Sequence, residues 1–522
     1  MLPSTPTPYD DVFYPGHVYG HTHPNRLATI ASLYGMAPVP VARCRVLELG
    51  CGVGGNLVPM AFQNPRSEFV GIDLSGATIE RGQRNVEALG LSNIKLLNCD
   101  IMDFDAALGQ FDYIIAHGVY SWVPPLVRGK MMEIFKKNLS ADGICYVSYN
   151  AHPFSHLRDL ARDMMLYHTR DIRDVKQKTA QARAIMKFLS EGSKADTVHG
   201  AVMRAQFDRV IKMPEEVLFH DDLNATAEAF LLHRVVEEAG KNGLQYLSDA
   251  EFTLYDLARY TPDVRATLEK FPDSEFMSCD QYKDFLDGHG FRRTLLCHDN
   301  VVLRRTIPLD FITRFYLLCS AEAVDPNVCL TDSSPMAFKT QESATFTVAK
   351  PLLKAAYVFF GSSWPRAVSF EELFDGARAL LGRQANVESA GDDKKLLIEA
   401  LYVLAYSGEV SFRIWPPFDS SATGGRPRAS WLARKQAESG TLVTNLLHES
   451  VRLNDDKTRY FLRLLDGTRT IEEITAEMRK MAAVETGDQA PTESESGGER
   501  TLPIREFIEM QLKIIDRLAL LL

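Results

Sequence analysis

Between residues 45 and 151 the chain alternates short apolar runs with amphipathic stretches. RVLELG, EFVGID, IKLLNCD, FDYIIAHG and GICYVSYNA are brief, rich in Val, Ile, Leu and aromatic residues, and bounded by glycine or acid, which predicts five buried strands. The stretches beside them have helical spacing. After Pro24, HTHPNRLATIASLYG places Leu27, Ile30, Ala31 and Tyr34 on one face. LSGATIERGQRNVEALG opens on Ser75 as a cap and closes just before Gly90, and a helix after the proline pair of HGVYSWVPP carries Val127, Met131 and Phe135. Alternating strands and helices predict an α/β fold with a mostly parallel, Rossmann-like sheet.

After the fifth strand, AHPFSHLRDLARDMMLYHTRDIRD begins a helical, mixed-charge insertion over 152–223, expected to rise as a cap above the C-terminal edge of the sheet. FLLHRVVEEAGKNGLQYLSDAEF and DQYKDFLDGHGFRRTLLCH then predict two more helix–strand pairs, closing the sheet near residue 298. From about 300 the pattern changes. SFEELFDGARALLG opens on a Ser369/Glu372 capping box, DDKKLLIEALYVLAYSG is a second helix, and EVSFRIW a strand, together a winged-helix-like module. TRTIEEITAEM repeats the form with Thr470 and Glu473, so a second module is expected. The predicted order is an N-terminal arm or lid (1–40), a core (41–300) carrying the cap, a winged-helix-like regulatory or middle domain (301–420), and a C-terminal domain (421–522) with a flexible Gly/Ser/Glu-rich stretch over 484–500.

At 522 residues the chain is long enough for about three domains. Its net charge of −10, with no long basic run, disfavours nonspecific attraction to nucleic acid. No apolar run reaches membrane-spanning length, and even KPLLKAAYVFFG carries Lys354, so no membrane insertion is expected. The eight cysteines contain no C-x-x-C pair and read as reduced core residues of a cytoplasmic protein. His17, His21 and His23 lack an acid or cysteine to complete a coordination set, so no metal is expected. The aromatic arm reads instead as a lid whose rings, Tyr14 and His23 among them, lie against a cationic ligand.

The chemistry gathers at ELGCGVGGN. Gly50-x-Gly52-x-x-Gly55 matches a dinucleotide-binding turn, whereas Glu48-x-Gly50-x-Gly52-x-Gly54 matches the acid-then-glycines turn of enzymes that bind S-adenosylmethionine (AdoMet). A carboxylate repels a pyrophosphate and suits an ammonium or sulfonium, so Glu48 favours AdoMet. Asp73 and Asp100 end the second and third strands and His117 the fourth, where open α/β sheets bind ligands.

With these motifs the chain resembles class I AdoMet-dependent methyltransferases, which implies that 41–300 is an AdoMet-binding core. The likeness implies that Glu48 faces the methionine amino group, Asp73 the ribose, and Asp100 with the Ile101 backbone the adenine. Gly50, Cys51, Gly52, Gly54, Asn56, Leu74 and His117 complete the implied cofactor set. HTHPNRLATIASLYG, AHGVYSWVP, SYNAHP, RDMMLYH and QYKDFLDGHGFRRTLLCH are similar to a bacterial family carrying a methyltransferase regulatory domain, which includes protein-lysine methyltransferases acting on surface or outer-membrane proteins. That likeness implies methyl transfer to a nucleophilic nitrogen, with lysine of a protein substrate as acceptor and S-adenosylhomocysteine (AdoHcy) as product. The alternatives are a small-molecule methyltransferase and an AdoMet-binding regulator without turnover.

No obligate base stands out in the sequence. His117, Tyr120, Trp122, Tyr149 and Asn150 are expected to position the acceptor, and His152, His156, Tyr167, His168, Asp221 and Asp222 to line the cap, with a proton leaving through water or Asp221 or Asp222. Residues beyond about 300 are expected to be dispensable for AdoMet binding but not for full activity on a protein substrate. The sequence leaves the oligomeric state open.

Overall fold

The computed structural model describes residues 16–224, 226–251, 257–325, 327, 329–341, 344–383, 389–418, 425–486 and 504–522. Tyr14 and residues 487–500 of the stretch expected to be flexible lie outside them. The chain divides into two units, one of residues 16–17 with Arg26–Ile307, the other of Val18–Asn25 with Pro308–Leu522.

The first unit is built on an eight-stranded sheet. Helix α1 (Pro24–Leu33) leads into β1 (Arg45–Leu49), α2 (Leu57–Gln63), β2 (Glu68–Asp73), α3 (Gly76–Ala88), β3 (Ile94–Asn98), β4 (Phe111–Ala116), α4 (Pro125–Asn138) and β5 (Leu139–Ala151). The cap follows as α5 (Ser155–Thr169), α6 (Val175–Gly192), α7 (Val198–Lys212) and α8 (Glu215–Asp222). The chain returns through β6 (Ala229–Phe230), α9 (Leu232–Lys241), β7 (Leu244–Asp249), α10 (Pro262–Leu268), α11 (Phe276–Asp287) and β8 (Phe291–His298).

Strand order is β3-β2-β1-β4-β5-β8-β7, with β6 beside β5. The pairs from β3 through β5 are parallel, and β8 runs antiparallel to both β5 and β7. Order reverses between β1 and β4, so the crevice outside those two strand ends is where such a sheet takes a ligand. Local chemistry sets the boundaries. Ser75 accepts the Thr78 N–H as the cap of α3, and Gly90 follows that helix at φ +64°. The continuous apolar runs become buried strands, whose Leu47, Leu49, Ile72, Ile114, Val147 and Leu296 share one core with Phe135 of α4.

The cap is a four-helix cluster whose core is Ala161, Met165, Ala182, Met186, Met203, Val210, Leu218 and Leu223. The two-residue β6 was not foreseen, being too short to carry a period.

In the second unit, β9 (Tyr316–Leu318) lies between β13 (Val368–Ser369) and β14 (Ser411–Arg413) in an antiparallel sheet, and β10 (Glu322–Ala323), β11 (Met336–Lys339) and β12 (Thr345–Val348) form another. The helices here are α12 (Pro351–Ser363), α13 (Phe370–Leu380) and α14 (Ala390–Ser407). Ser369 and Glu372 form the expected capping box. Lys354, fully buried in α12, donates to the carbonyls of Cys329 and Ser334 and to Asp332, which satisfies a charge the apolar run alone made puzzling. The C-terminal module holds α15 (Trp431–Gln436), the hairpin β15 (Leu442–Thr444) and β16 (Ser450–Arg452), α16 (Asp456–Leu464), α17 (Ile471–Thr486) and α18 (Ile504–Arg517) around Phe461, Leu462, Ile474, Ile508 and Ile515. Thr470 and Glu473 make the second capping box.

Candidate functional site

At the end of β1 the chain turns through Gly50 at φ +70°, where a Cβ would stand 2.5 Å from Val119 Cγ2. Only glycine accepts both that conformation and that approach. The N–H groups of Gly50 and Cys51 both donate to the Ile72 carbonyl, at 2.9 and 3.0 Å. Asp73 completes the turn from the next strand, one oxygen accepting the Gly52 N–H at 2.8 Å and the other the Ser75 N–H at 2.9 Å. Its carboxylate therefore holds the turn from the end of β2. Gly54 continues the same turn at φ +72°, its N–H donating to the Cys51 carbonyl. Gly16 lies directly on the far side of the turn, since a Cβ on Gly55 would come 2.6 Å from its Cα.

Glu48 is 4% exposed, and its Oε1 accepts from Asn56 Nδ2 at 2.8 Å. Its Oε2 is buried without a hydrogen-bond partner. Burial raises the Glu48 carboxyl to about 8, against the pull of Asn56, with the Asp73 charge adding to the rise. A buried, unpartnered carboxylate oxygen beside a bare glycine turn fits a ligand bringing an ammonium group, which restores the ionised form. Leu74, 50% exposed, and Ile101 are apolar surfaces at the neighbouring strand ends. Asp100 accepts the Met102 N–H and starts a short 3-10 turn, while the Cys99 N–H reaches the Asp73 carbonyl at 3.0 Å. The ionic and apolar groups along this edge fit the amino-acid and nucleoside ends of AdoMet.

His23 has a different setting. It belongs with the second unit, its ring 5.1 Å from that of His448 and its Nδ1 accepting the Asn25 N–H. Among the described residues no group of three or more His, Cys, Asp and Glu is arranged to hold a metal ion.

His117, just past β4, shares its Nδ1 with the Tyr146 hydroxyl at 3.0 Å and Ser148 Oγ at 3.1 Å. Burial first and the Arg293 charge second lower it to about 3, so it is neutral at pH 7. Tyr120 and Tyr149 are 3% and 1% exposed. They pack with Phe230 in the sheet core, and the Tyr149 hydroxyl meets Thr294 Oγ1 at 2.8 Å. The expectation that both rings face the acceptor is corrected to a core position, because Phe230 of β6 packs on both and the Arg128 guanidinium of α4 lies over Tyr120. Trp122 stays half-buried on the 3-10 turn Tyr120–Trp122. Asn150 donates its N–H to Ser121 Oγ on that turn at 2.8 Å.

Within the cap, His152 and His156 stack at 3.8 Å. Asp222 is fully buried and ion-paired to Arg158 and Arg209, which hold its carboxyl below the usual range although burial acts the other way. Asp221 is raised to about 6, chiefly by burial. Tyr167, 72% exposed, and His168 stand near the far end of α5, about 18 Å along it from Ser155. They line an apolar groove of about 430 Å³ within the cap with Leu160, Met164, Ile185 and Leu189. Sequence reasoning missed Arg158, Ser121 and Ser148. The i, i+4 pair Arg158 and Arg162 on the inward side of a mixed-charge helix was the one signal for the first of them.

Three family descriptions match the chain: "Methyltransferase domain" over residues 41–206, "Predicted methyltransferase regulatory domain" over 214–298, and "PKMT, C-terminal winged helix domain" over 425–515. An uncharacterized protein of Rickettsia prowazekii (strain Madrid E) is 33% identical over 474 residues, covering 88% of this chain and 83% of the relative. A second uncharacterized protein of that organism is 32% identical over 240 residues, 46% of this chain and 96% of the relative. The solved structure of PKMT2 from Rickettsia typhi in complex with AdoHcy superposes with a TM-score of 0.87 at 26% identity, covering 97% of this chain and 99% of that one.

Proposed function

The chain belongs to the AdoMet-dependent methyltransferases that join a methyltransferase domain and its regulatory segment to a PKMT winged helix, and from that premise we propose that it methylates lysine side chains of a protein. The observation that carries this reading is the likeness to PKMT2 along the whole chain, cap and C-terminal modules included. When bound, AdoMet supplies a methyl group on a sulfonium, open to in-line displacement by an amine.

We assign the chain's own groups as follows. Glu48 receives the amino-acid ammonium, Asp73 the ribose hydroxyls while holding Gly52 in place, and Leu74 with Asp100 and Ile101 the adenine. His117, neutral at pH 7, adds no positive charge beside a sulfonium. A free lysine side chain is almost wholly protonated at pH 7, with a pKa of about 10.4, so a proton must leave before attack. Asp221, at about 6, is ionised at pH 7 and able to take it. Asp222 is a weaker candidate because two arginines stabilise its ionised form.

No helix among the described residues is long and apolar enough to cross a membrane, and all eight cysteines are unpaired. The unpaired cysteines support a cytoplasmic site of action, which belongs to the same proposal. Incubation with methyl-labelled AdoMet and bacterial surface proteins tests it. Label in protein, located on lysine by mass spectrometry, is the expected result, and label only in small molecules overturns the acceptor assignment.

A further inference from the structure

Asp222 is held by two arginines, and only one of them also reaches the sheet. Arg209, on α7, donates from both terminal nitrogens to the Asp222 carboxylate, at 2.9 and 3.0 Å, and so ties two cap helices to each other. Arg158, on α5, donates Nε to Asp222 Oδ1 at 2.9 Å and a terminal nitrogen to the Asp221 carbonyl at 2.7 Å. Its other terminal nitrogen reaches Asn150 Oδ1 at 3.3 Å. Asn150 is the penultimate residue of β5, and its N–H goes to Ser121 on the turn that follows β4. Ser121 in turn accepts the Glu228 N–H at its carbonyl, at 2.9 Å, where the chain comes back from the cap. One planar guanidinium therefore joins the first and last cap helices to the strand end and, through it, to the turn expected on the acceptor side. The group is mostly buried, with 17% of its side chain exposed, so these bonds meet little competition from water.

We propose that Arg158 is a positioning residue for methyl transfer, registering the cap, and Asp221 with it, against the acceptor-side turn Tyr120–Trp122. The planar fork suits this role, since three donors leave in fixed directions to three acceptors that no lysine ammonium reaches in the same geometry. Asp222 keeps Arg209 when Arg158 is lost, so the cap retains its internal ion pair while its tie to β5 is cut.

This inference rests on the acceptor-side reading of the β4 and β5 ends, and its test separates the two. Arg158→Gln and Arg209→Gln are compared in the full chain. Arg158→Gln should lower kcat on the protein acceptor roughly ten- to hundredfold with AdoMet affinity unchanged, the cost of a displaced reacting geometry. It should also speed hydrogen exchange at the Asn150 amide. Arg209→Gln should lower the melting temperature of the cap but leave Asn150 exchange as it is and reduce kcat far less. Arg158→Lys should recover only part of the activity. Equal loss of turnover in the two glutamine variants, or unaltered Asn150 exchange in Arg158→Gln, overturns the proposal. If the wild-type chain methylates no protein, the acceptor reading fails by itself, and the exchange comparison still decides whether Arg158 ties the cap to the strand.

Discussion

Because both oxygens of Asp73 already accept backbone N–H groups, its replacement acts on the turn and on the ligand together. A charge-assisted hydrogen bond is worth about 1.5 to 3 kcal/mol, so Asp73→Ala should weaken AdoMet binding by roughly tenfold or more, and calorimetry that finds unchanged affinity removes Asp73 from the site. Glu48 makes a different prediction. Burial keeps it protonated up to about pH 8 in the ligand-free chain, whereas the unfolded chain ionises it near 4.5. The unfolded state therefore gives up this proton first, and the Glu48 contribution to stability is full below about pH 4.5 and lost as pH rises through 8. An arriving ammonium favours the ionised carboxylate, so binding near pH 7 should release close to one proton. Titrations in two buffers of different ionisation enthalpy measure that release, and Glu48→Gln should abolish it. At this scale Glu48 and Asp73 were legible because strand ends mark themselves with glycine and acid. Asp221 and Asp222 were not separable, since the difference between them is made by Arg158 and Arg209, which are 64 and 13 residues from Asp222 along the chain.

The strands and helices were read from period and caps, which are local properties, and the structure places them within a residue or two where a cap residue fixes the end. Ser75, Ser369 and Thr470 are the clearest, each accepting the N–H three residues on. Ser369→Ala should cost about 1 kcal/mol, lowering the thermal transition of the second unit without touching AdoMet affinity. A loss of AdoMet binding in that variant speaks against its being a local cap. What periodicity hides is the role of each apolar or aromatic position in the packed state. Tyr120 and Tyr149 share sequence neighbourhoods with Trp122 and Asn150, yet contacts with Phe230, from a strand 80 to 110 residues away, take the first two into the core.

At the scale of the molecule, the segment matched as a regulatory domain is part of the catalytic sheet. Residues 214–298 supply β6, β7 and β8, and β8 covers the edge of β5 along six paired positions from Cys145 to Asn150. A chain ending before residue 214 should leave that edge open and aggregate, as light scattering would detect. A chain ending at residue 307 keeps the sheet but removes the partners of Val18–Asn25, among them His448 and the Trp415 carbonyl that accepts from Asn25. The sequence suggested that such a chain keeps AdoMet binding. Because residues 16 and 17 lie on Gly55 immediately before that segment, we expect weaker AdoMet binding with a retained fold, and undiminished affinity by calorimetry shows that Gly16 stays in place unaided.

The same eight residues also order events in time. Val18–Asn25 leave the ribosome well before His448, against which His23 lies and which is made more than four hundred residues later. At about 5 to 20 residues per second that is a wait of roughly 20 to 80 s, long after the strands of the first unit are available to pair. Val18–Asn25 therefore join their unit only after the strands of the first unit have had time to pair.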